Sequence, residues 1–198
     1  MRIIAGRCKG RTLLTPTWLG LRPTSDRLRE TLFNVLSGAV PGARVLDVYA
    51  GTGAVGLEAL SRGAASVTFV EQDHRAVALI RQNLARCAVT EGCAIVARDA
   101  AAVLRGGQLD RFDIVFLDPP YSAAARDAVV QLAAVHVADG GVLVLEHAWR
   151  EAPPAAAAPL ALTRTLRQGD SALAFYHAAP AASATHPAPG ATDDEEQR

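Results

Sequence analysis

The sequence predicts an α/β fold built on a doubly wound, mostly parallel sheet, and three observations carry that prediction. Five short apolar, β-branched runs recur along the chain: ARVLDV (43–48), SVTFVE (66–71), CAIVAR (93–98), FDIVFLD (112–118) and GVLVLEH (141–147). Each has the length and composition of a strand buried on both faces. The stretches between them carry helical periodicity, and a repeated strand-helix unit makes an open sheet with helices on both sides. Finally, LALTRTL and ALAFYH flank RQGDS, in which Gly169-Asp170 favours a tight hairpin turn. The sheet is therefore expected to end in an antiparallel pair.

Ahead of the sheet, RIIAG and RTLLT flank RCKG, a basic β-hairpin that needs support from elsewhere to be stable. In LRPTSDRLRETLFNVLSG, Thr24 or Ser25 caps a helix whose Leu28, Leu32, Val35 and Leu36 form an apolar stripe, with Arg27 and Glu30 facing outward. Residues 1–40 thus read as an N-terminal extension lying against a sheet domain at 41–177. Within that domain, Val77, Ile80 and Leu84 share a helix face behind an Asp73 cap, and Ala125, Val129 and Leu132 share another. EAPPAAAAP reads as a linker. Residues 178–198, rich in Ala, Pro and Thr and closing on Asp193, Asp194, Glu195 and Glu196, are expected to be a disordered tail.

Composition narrows the class. With 50% hydrophobic residues the chain can bury one sizeable core. It has no apolar run of eighteen residues, and MRIIAGRCKGRTLL lacks the apolar segment of a secretion signal, which argues against membrane and secreted readings; a cytoplasmic protein is expected, and a monomer. Cys8, Cys87 and Cys93 are odd in number and follow no metal-ligand spacing, which suggests neither disulfides nor a metal. The net charge of zero hides a basic start: Arg2, Arg7, Lys9, Arg11, Arg22, Arg27 and Arg29 oppose only Asp26 and Glu30 within residues 1–31. Such a surface either holds phosphates or is simply solvated.

The chemistry resides in two motifs. In DVYAGTGAVG, Gly51 and Gly53 let backbone approach a ligand, and Gly51, Gly53 and Gly56 match the dinucleotide pattern, with Glu71 ending the next strand where an acid meets ribose hydroxyls. Asp47 beside this loop disfavours a pyrophosphate and favours the cationic S-adenosylmethionine, unless it serves only to cap the loop. Asp99 is placed either to accept from an adenine amino group or to cap the helix that follows. The second motif is Asp118-Pro119-Pro120-Tyr121, ending the fourth run. The two prolines stiffen the backbone. The Asp118 carboxylate and the Pro119 carbonyl can then accept both protons of a nucleobase amine and aim its lone pair in line with the methyl group. Tyr121 offers a face for an extruded base, or packs. No hydrolase elbow, zinc-protease pair or phosphate loop occurs in the chain.

Acid-Pro-Pro-Tyr after an AGTG loop resembles the S-adenosylmethionine-dependent amino methyltransferases. The segments MRIIAGRCKGRTL, LRPTSDRLRETLFNVL, LDVYAGTGAVGLEALSRGA and DIVFLDPPY resemble the bacterial RsmD family more narrowly, over roughly residues 1–147. That likeness implies a Rossmann-like class I methyltransferase fold and methylation of a guanine N2 amine in 16S ribosomal RNA, naked or within the 30S subunit. It also implies roles for Asp47, Tyr49, Gly51, Thr52 and Gly53 around the donor, Glu71 on its ribose, Asp99 near its adenine, and Asp118 to Tyr121 at the amine. Arg2, Arg7, Lys9, Arg11, Arg22, Arg27 and Arg29 would then hold RNA phosphates, with Lys9 and Arg11 best placed. Ala5, where many relatives carry glycine, and Tyr49, where phenylalanine is common, depart mildly from the pattern. A DNA adenine or a protein glutamine would suit the same four acceptor residues, a nicotinamide-dependent oxidoreductase would suit the glycine spacing alone, and an RNA-binding factor without turnover would keep the fold.

Overall fold

The computed structural model describes residues 1–18, 24–107, 109–119 and 123–178. Among them, one sheet holds β1 (Arg44–Val48), β2 (Ser66–Val70), β3 (Cys93–Val96), β4 (Phe112–Leu117), β5 (Val137–Ala148), β6 (Ala156–Ala157), β7 (Leu160–Gln168) and β8 (Ser171–Ala178). Their order is β3-β2-β1-β4-β5-β8-β7-β6. β1 to β5 are parallel; β8 inserts antiparallel between β5 and β7, through a turn with Gly169 at φ 65°.

The helices are α1 (Asp26–Val35), α2 (Ala54–Ser61), α3 (His74–Arg86), α4 (Ala100–Arg105) and α5 (Ala123–Ala134). Alternation along each buried strand sends successive side chains to opposite faces. Val45, Phe69, Phe116 and Val144 accordingly pack with α1, α2 and α3, while Leu46, Val70, Leu117 and Leu145 pack with α4 and α5. This is the expected doubly wound α/β architecture. β1 leads to β2 on one side and borders β4 on the other, so strand order reverses between β1 and β4, and ligands in such sheets sit outside the carboxyl ends at that point. No helix among the described residues is long and apolar enough to cross a membrane.

Ser25, not Thr24, caps α1, accepting from the Leu28 N–H at 3.2 Å. Leu28, Leu32, Phe33 and Leu36 are buried against the sheet, each contributing about 1.5–3 kcal/mol. Asp73 caps α3. The basic hairpin holds one bridge, between Arg2 and Thr12, with backbone bonds from the Ile3, Gly10 and Leu13 amides across it, while other amides turn to the sheet domain: Ile4 and Ala5 donate to the Glu58 carboxylate, and Cys8 donates to Ser61 Oγ. Gly6 at φ 79° lies so close to the Ser61 carbonyl that a Cβ would fall inside it. The extension also shares the core with the sheet, through Ile3, Cys8 and Leu13.

Three further expectations are corrected. β5 starts at Val137 rather than 141, because a bulge absorbs the polar Asp139-Gly140-Gly141 step. The linker contains β6 at the sheet edge. On α5 the expected Val129 is buried and Leu132 packs against the same core, but Ala125 is half-buried and the buried face extends through Val130, Ala133 and Arg126, whose guanidinium is neutralised by Asp127 and Glu151. Ala178, where the expected tail at 178–198 was to begin, instead closes β8, and the rest of that tail lies outside the described residues.

Candidate active site at the carboxyl ends of β1 and β4

The chain leaves β1 through a turn in which Tyr49 (φ 62°), Gly51 (φ 55°) and Gly53 (φ 75°) all adopt left-handed backbone. Glycine does so freely; for a tyrosine the conformation costs about 1–3 kcal/mol. The Gly51 N–H donates to Glu71 Oε2 at 2.9 Å, and the other Glu71 oxygen accepts from the Asp73 N–H at 2.9 Å. One carboxylate at the end of β2 therefore ties the glycine turn to the start of α3. Gly56 serves packing: a Cβ there would lie 2.3 Å from the Phe69 ring, so α2 can lie close on β2.

Asp47 is 1% exposed, and its Oδ2 accepts the Gly56 N–H at 2.9 Å. Burial pushes its carboxyl up to about 8, the negative charges of Asp118 and Glu71 push the same way, and the Gly56 N–H opposes them. Three acids drawn from β1 and from the ends of β2 and β4 thus share one electrostatic field, which suits a cationic ligand and repels a pyrophosphate. S-adenosylmethionine, with an ammonium and a sulfonium, matches that field. Among the described residues no cluster of acids, histidines or cysteines is placed to hold a metal ion.

A pH dependence follows from the raised Asp47 value. The folded value lies above the ordinary 3.8, so the ligand-free fold loses stability as pH rises from about 4 to about 8. A cationic ligand binds the carboxylate form and must expel the proton. Its affinity should rise about tenfold per pH unit below 8, with proton release detected by calorimetry in buffers of different ionisation enthalpy; affinity flat between pH 6 and 8 would contradict the assignment.

Asp118 follows β4 directly, its N–H reaching the Val48 carbonyl at 3.4 Å, and both Asp118 and Pro119 are half-buried. Pro120 and Tyr121 lie outside the described residues. A cleft of about 360 Å³ opens beside Asp118, lined by Ser25 and Arg27 of the extension, Glu146 of β5, and Gln168 and Asp170 of the β7-β8 turn. Arg27 also lines a second cleft, of about 420 Å³, together with Arg2, Lys9, Asp26 and Glu30. The basic extension and the acceptor motif therefore meet at one residue. A larger cavity, about 700 Å³, lies at the opposite, amino-terminal ends of β1, β4 and β5 and contains none of the expected site residues.

Arg2, Arg7, Lys9, Arg11 and Arg27 are exposed, and Arg22 lies outside the described residues. Arg29 is not a surface cation. It is fully buried, bonded to Asp26 Oδ1 at 2.6 Å and the Arg2 carbonyl at 2.8 Å, beneath the extension it stabilises. Arg11 also has a structural bond, from Nη1 to the Arg86 carbonyl at 2.6 Å. Asp99 is the N-cap of α4, accepting from the Ala102 N–H at 2.8 Å.

Sequence reading missed Glu146, Gln168 and Asn83. A charged residue inside LVLEH marked Glu146, but only the fold brings it to Asp118. Asn83, fully buried on α3, accepts from the Leu14 N–H at 2.7 Å and donates to the carbonyls of Leu14 and Thr52 at 3.1 and 3.0 Å. It joins the extension to the glycine turn, where Thr52 is buried.

The chain is also similar to known proteins over most of its length. The family model described as conserved hypothetical protein 95 matches residues 1–177. The chain is 36% identical to the ribosomal RNA small subunit methyltransferase D of Escherichia coli K12, covering 89% of each chain. It is 39% identical to the protein of the same name from Haemophilus influenzae, over 67% of this chain and 69% of that one. Among solved structures, the Escherichia coli protein yhhF superposes with a TM-score of 0.80 at 36% identity, covering 90% of this chain and 97% of the other. A hypothetical protein of Thermus thermophilus gives a TM-score of 0.77 at 34% identity, covering 89% and 99%. With its glycine turn, its acid-Pro-Pro motif and its docked extension all within the matched span, the chain belongs to the RsmD family.

Proposed function

We propose that this protein is an S-adenosylmethionine-dependent methyltransferase of the cytoplasm that modifies the N2 amine of one guanine in 16S ribosomal RNA. It acts as a monomer on the small subunit or an assembly intermediate. The observation that carries the reading is the meeting of three acids, Asp47, Glu71 and Asp118, at the switch point between β1 and β4. The names of the relatives support ribosomal RNA as the substrate.

S-adenosylmethionine, when bound, supplies an electrophilic methyl group on a sulfonium. Asp47 and the Gly51–Gly53 turn hold its amino-acid end, Tyr49 and Thr52 shape that turn, Glu71 accepts from its ribose and Asp99 lies toward its adenine. Asp118 and the Pro119 carbonyl accept the two amine protons of the base. That pyramidalises the nitrogen and directs its lone pair along the line of displacement. Pro120 keeps the pair rigid, and Tyr121 stacks on the extruded base. The methylated nitrogen is acidic while cationic, so its proton passes to Asp118 or to water.

Arg2, Lys9 and Arg27, which share a cleft, hold phosphates of the flanking RNA, with Arg7, Arg11 and Arg22 around them. Replacing exposed Arg7 and Lys9 with glutamine should weaken RNA binding and reduce the slope of log affinity against log salt by about 0.7 per lost contact. An unchanged slope would remove those two from the interface. The reading as a whole is tested with small subunits from cells lacking the corresponding enzyme. Incubation with labelled donor, digestion and mass analysis should yield N2-methylguanosine. A methylated adenine or glutamine would move the substrate elsewhere, and RNA binding without transfer would mean an inactive binding factor.

A further inference from the structure

Leu117 and Leu145 are register partners in β4 and β5, so Asp118 and Glu146 form the next pair at the carboxyl rim. Alternation puts both on the face of Phe116 and Val144, the face that α1 covers. Glu146 pairs with Leu173 on β8, whose side chain belongs to that same face. Ser25 and Arg27 at the start of α1 and Gln168 at the end of β7 close the cleft around them. Its volume of about 360 Å³ admits a nucleobase.

We propose that Glu146 is the specificity-determining residue of this cleft, reading the N1–H of a guanine whose N2 amine is held by Asp118. The inference rests on the guanine-N2 reading above and adds the group that enforces it. Guanine presents three protons side by side, one on N1 and two on N2, and adjacent carboxylates at the ends of neighbouring strands, with the Pro119 carbonyl, accept them together. Adenine turns an N1 lone pair toward the position of Glu146, where a carboxylate repels it and no proton pairs with it. Discrimination by a buried acceptor of this kind is strong, because the wrong base leaves polar groups unpaired. Arg27, shared with the basic cleft, takes the phosphate of the extruded nucleotide.

The test uses 2,6-diaminopurine, which keeps the 2-amine but carries a lone pair on N1. The guanine modified by the unaltered enzyme is located by mass and replaced with 2,6-diaminopurine in a reconstituted small subunit. The unaltered enzyme should methylate this base about 10- to 100-fold more slowly than guanine. Glu146→Gln, whose amide can either accept from the guanine N1–H or donate to a bare N1, should keep part of the guanine activity and narrow that ratio. Binding of S-adenosylhomocysteine should be unchanged, which also reports folding. Equal rates on the two bases with the unaltered enzyme would overturn the proposal, as would a ratio that Glu146→Gln leaves intact. Should Glu146→Gln fail to bind S-adenosylhomocysteine, the comparison of bases with the unaltered enzyme decides alone. No methylation of guanine would sink the guanine-N2 reading itself, an outcome the guanine control separates from the others.

Discussion

Alanine at position 118 should slow methyl transfer about 10²- to 10³-fold while S-adenosylhomocysteine still binds. In the proposed reaction Asp118 carries one of the two acceptors aimed at the amine, and an acceptor pointed at a transition state contributes to the rate more than to ground-state binding. The variant has a second signature. Asp118 helps to hold the Asp47 carboxyl at about 8, so its removal should shift the pH dependence of donor binding toward lower pH. Asp118→Asn, which keeps a carbonyl acceptor and loses the charge, should retain more activity than the alanine variant and show the same shift. Single-turnover rates and calorimetry separate the effects; a full rate with Asp118→Ala would return the residue to a structural role.

Glu58→Ala should have the largest effect on stability. Glu58 is fully buried on α2, accepts the Ile4 and Ala5 amides at 2.8 and 3.0 Å, and pairs with Arg62 at 2.7 Å. Its charge also offsets the desolvation that lowers the pKa of the buried Arg29 guanidinium. Removing one member of such a buried set costs about 3–5 kcal/mol, or a fall in Tm of about 6–20 °C for a chain of this size. Hydrogen exchange should rise at residues 1–14 before it rises in β1 or β4. Uniform loosening instead would mean that the extension is not docked through Glu58.

The sheet was legible in the sequence because each strand states its own burial. ARVLDV, SVTFVE and FDIVFLD are apolar runs of strand length, and β1, β2 and β4 occupy them to within a residue at either end. Asp73 and Gly169 were equally legible, since a cap and a tight turn are local chemistry. The extension was harder. Its hairpin needs outside support, but nothing local to it says that the support comes from Glu58 and Ser61, more than fifty residues away. Arg29 looked like one more surface cation beside Arg27, and only a partner three residues away together with a carbonyl of the extension makes its burial tolerable. The glycine turn and Asp118 were found by motif, whereas Glu146 and Gln168 reach the cleft through strand register and the β7-β8 turn. Convergence of that kind leaves no trace in spacing.

A crystal structure with S-adenosylhomocysteine tests the central claim most directly. The account predicts the ribose on Glu71, the amino-acid end beside Asp47 and the Gly51–Gly53 turn, and the sulfur facing Asp118 and the Pro119 carbonyl across the gap between β1 and β4. A ligand seated in the large cavity at the amino ends of the strands, or one whose sulfur faces away from Asp118, would contradict it.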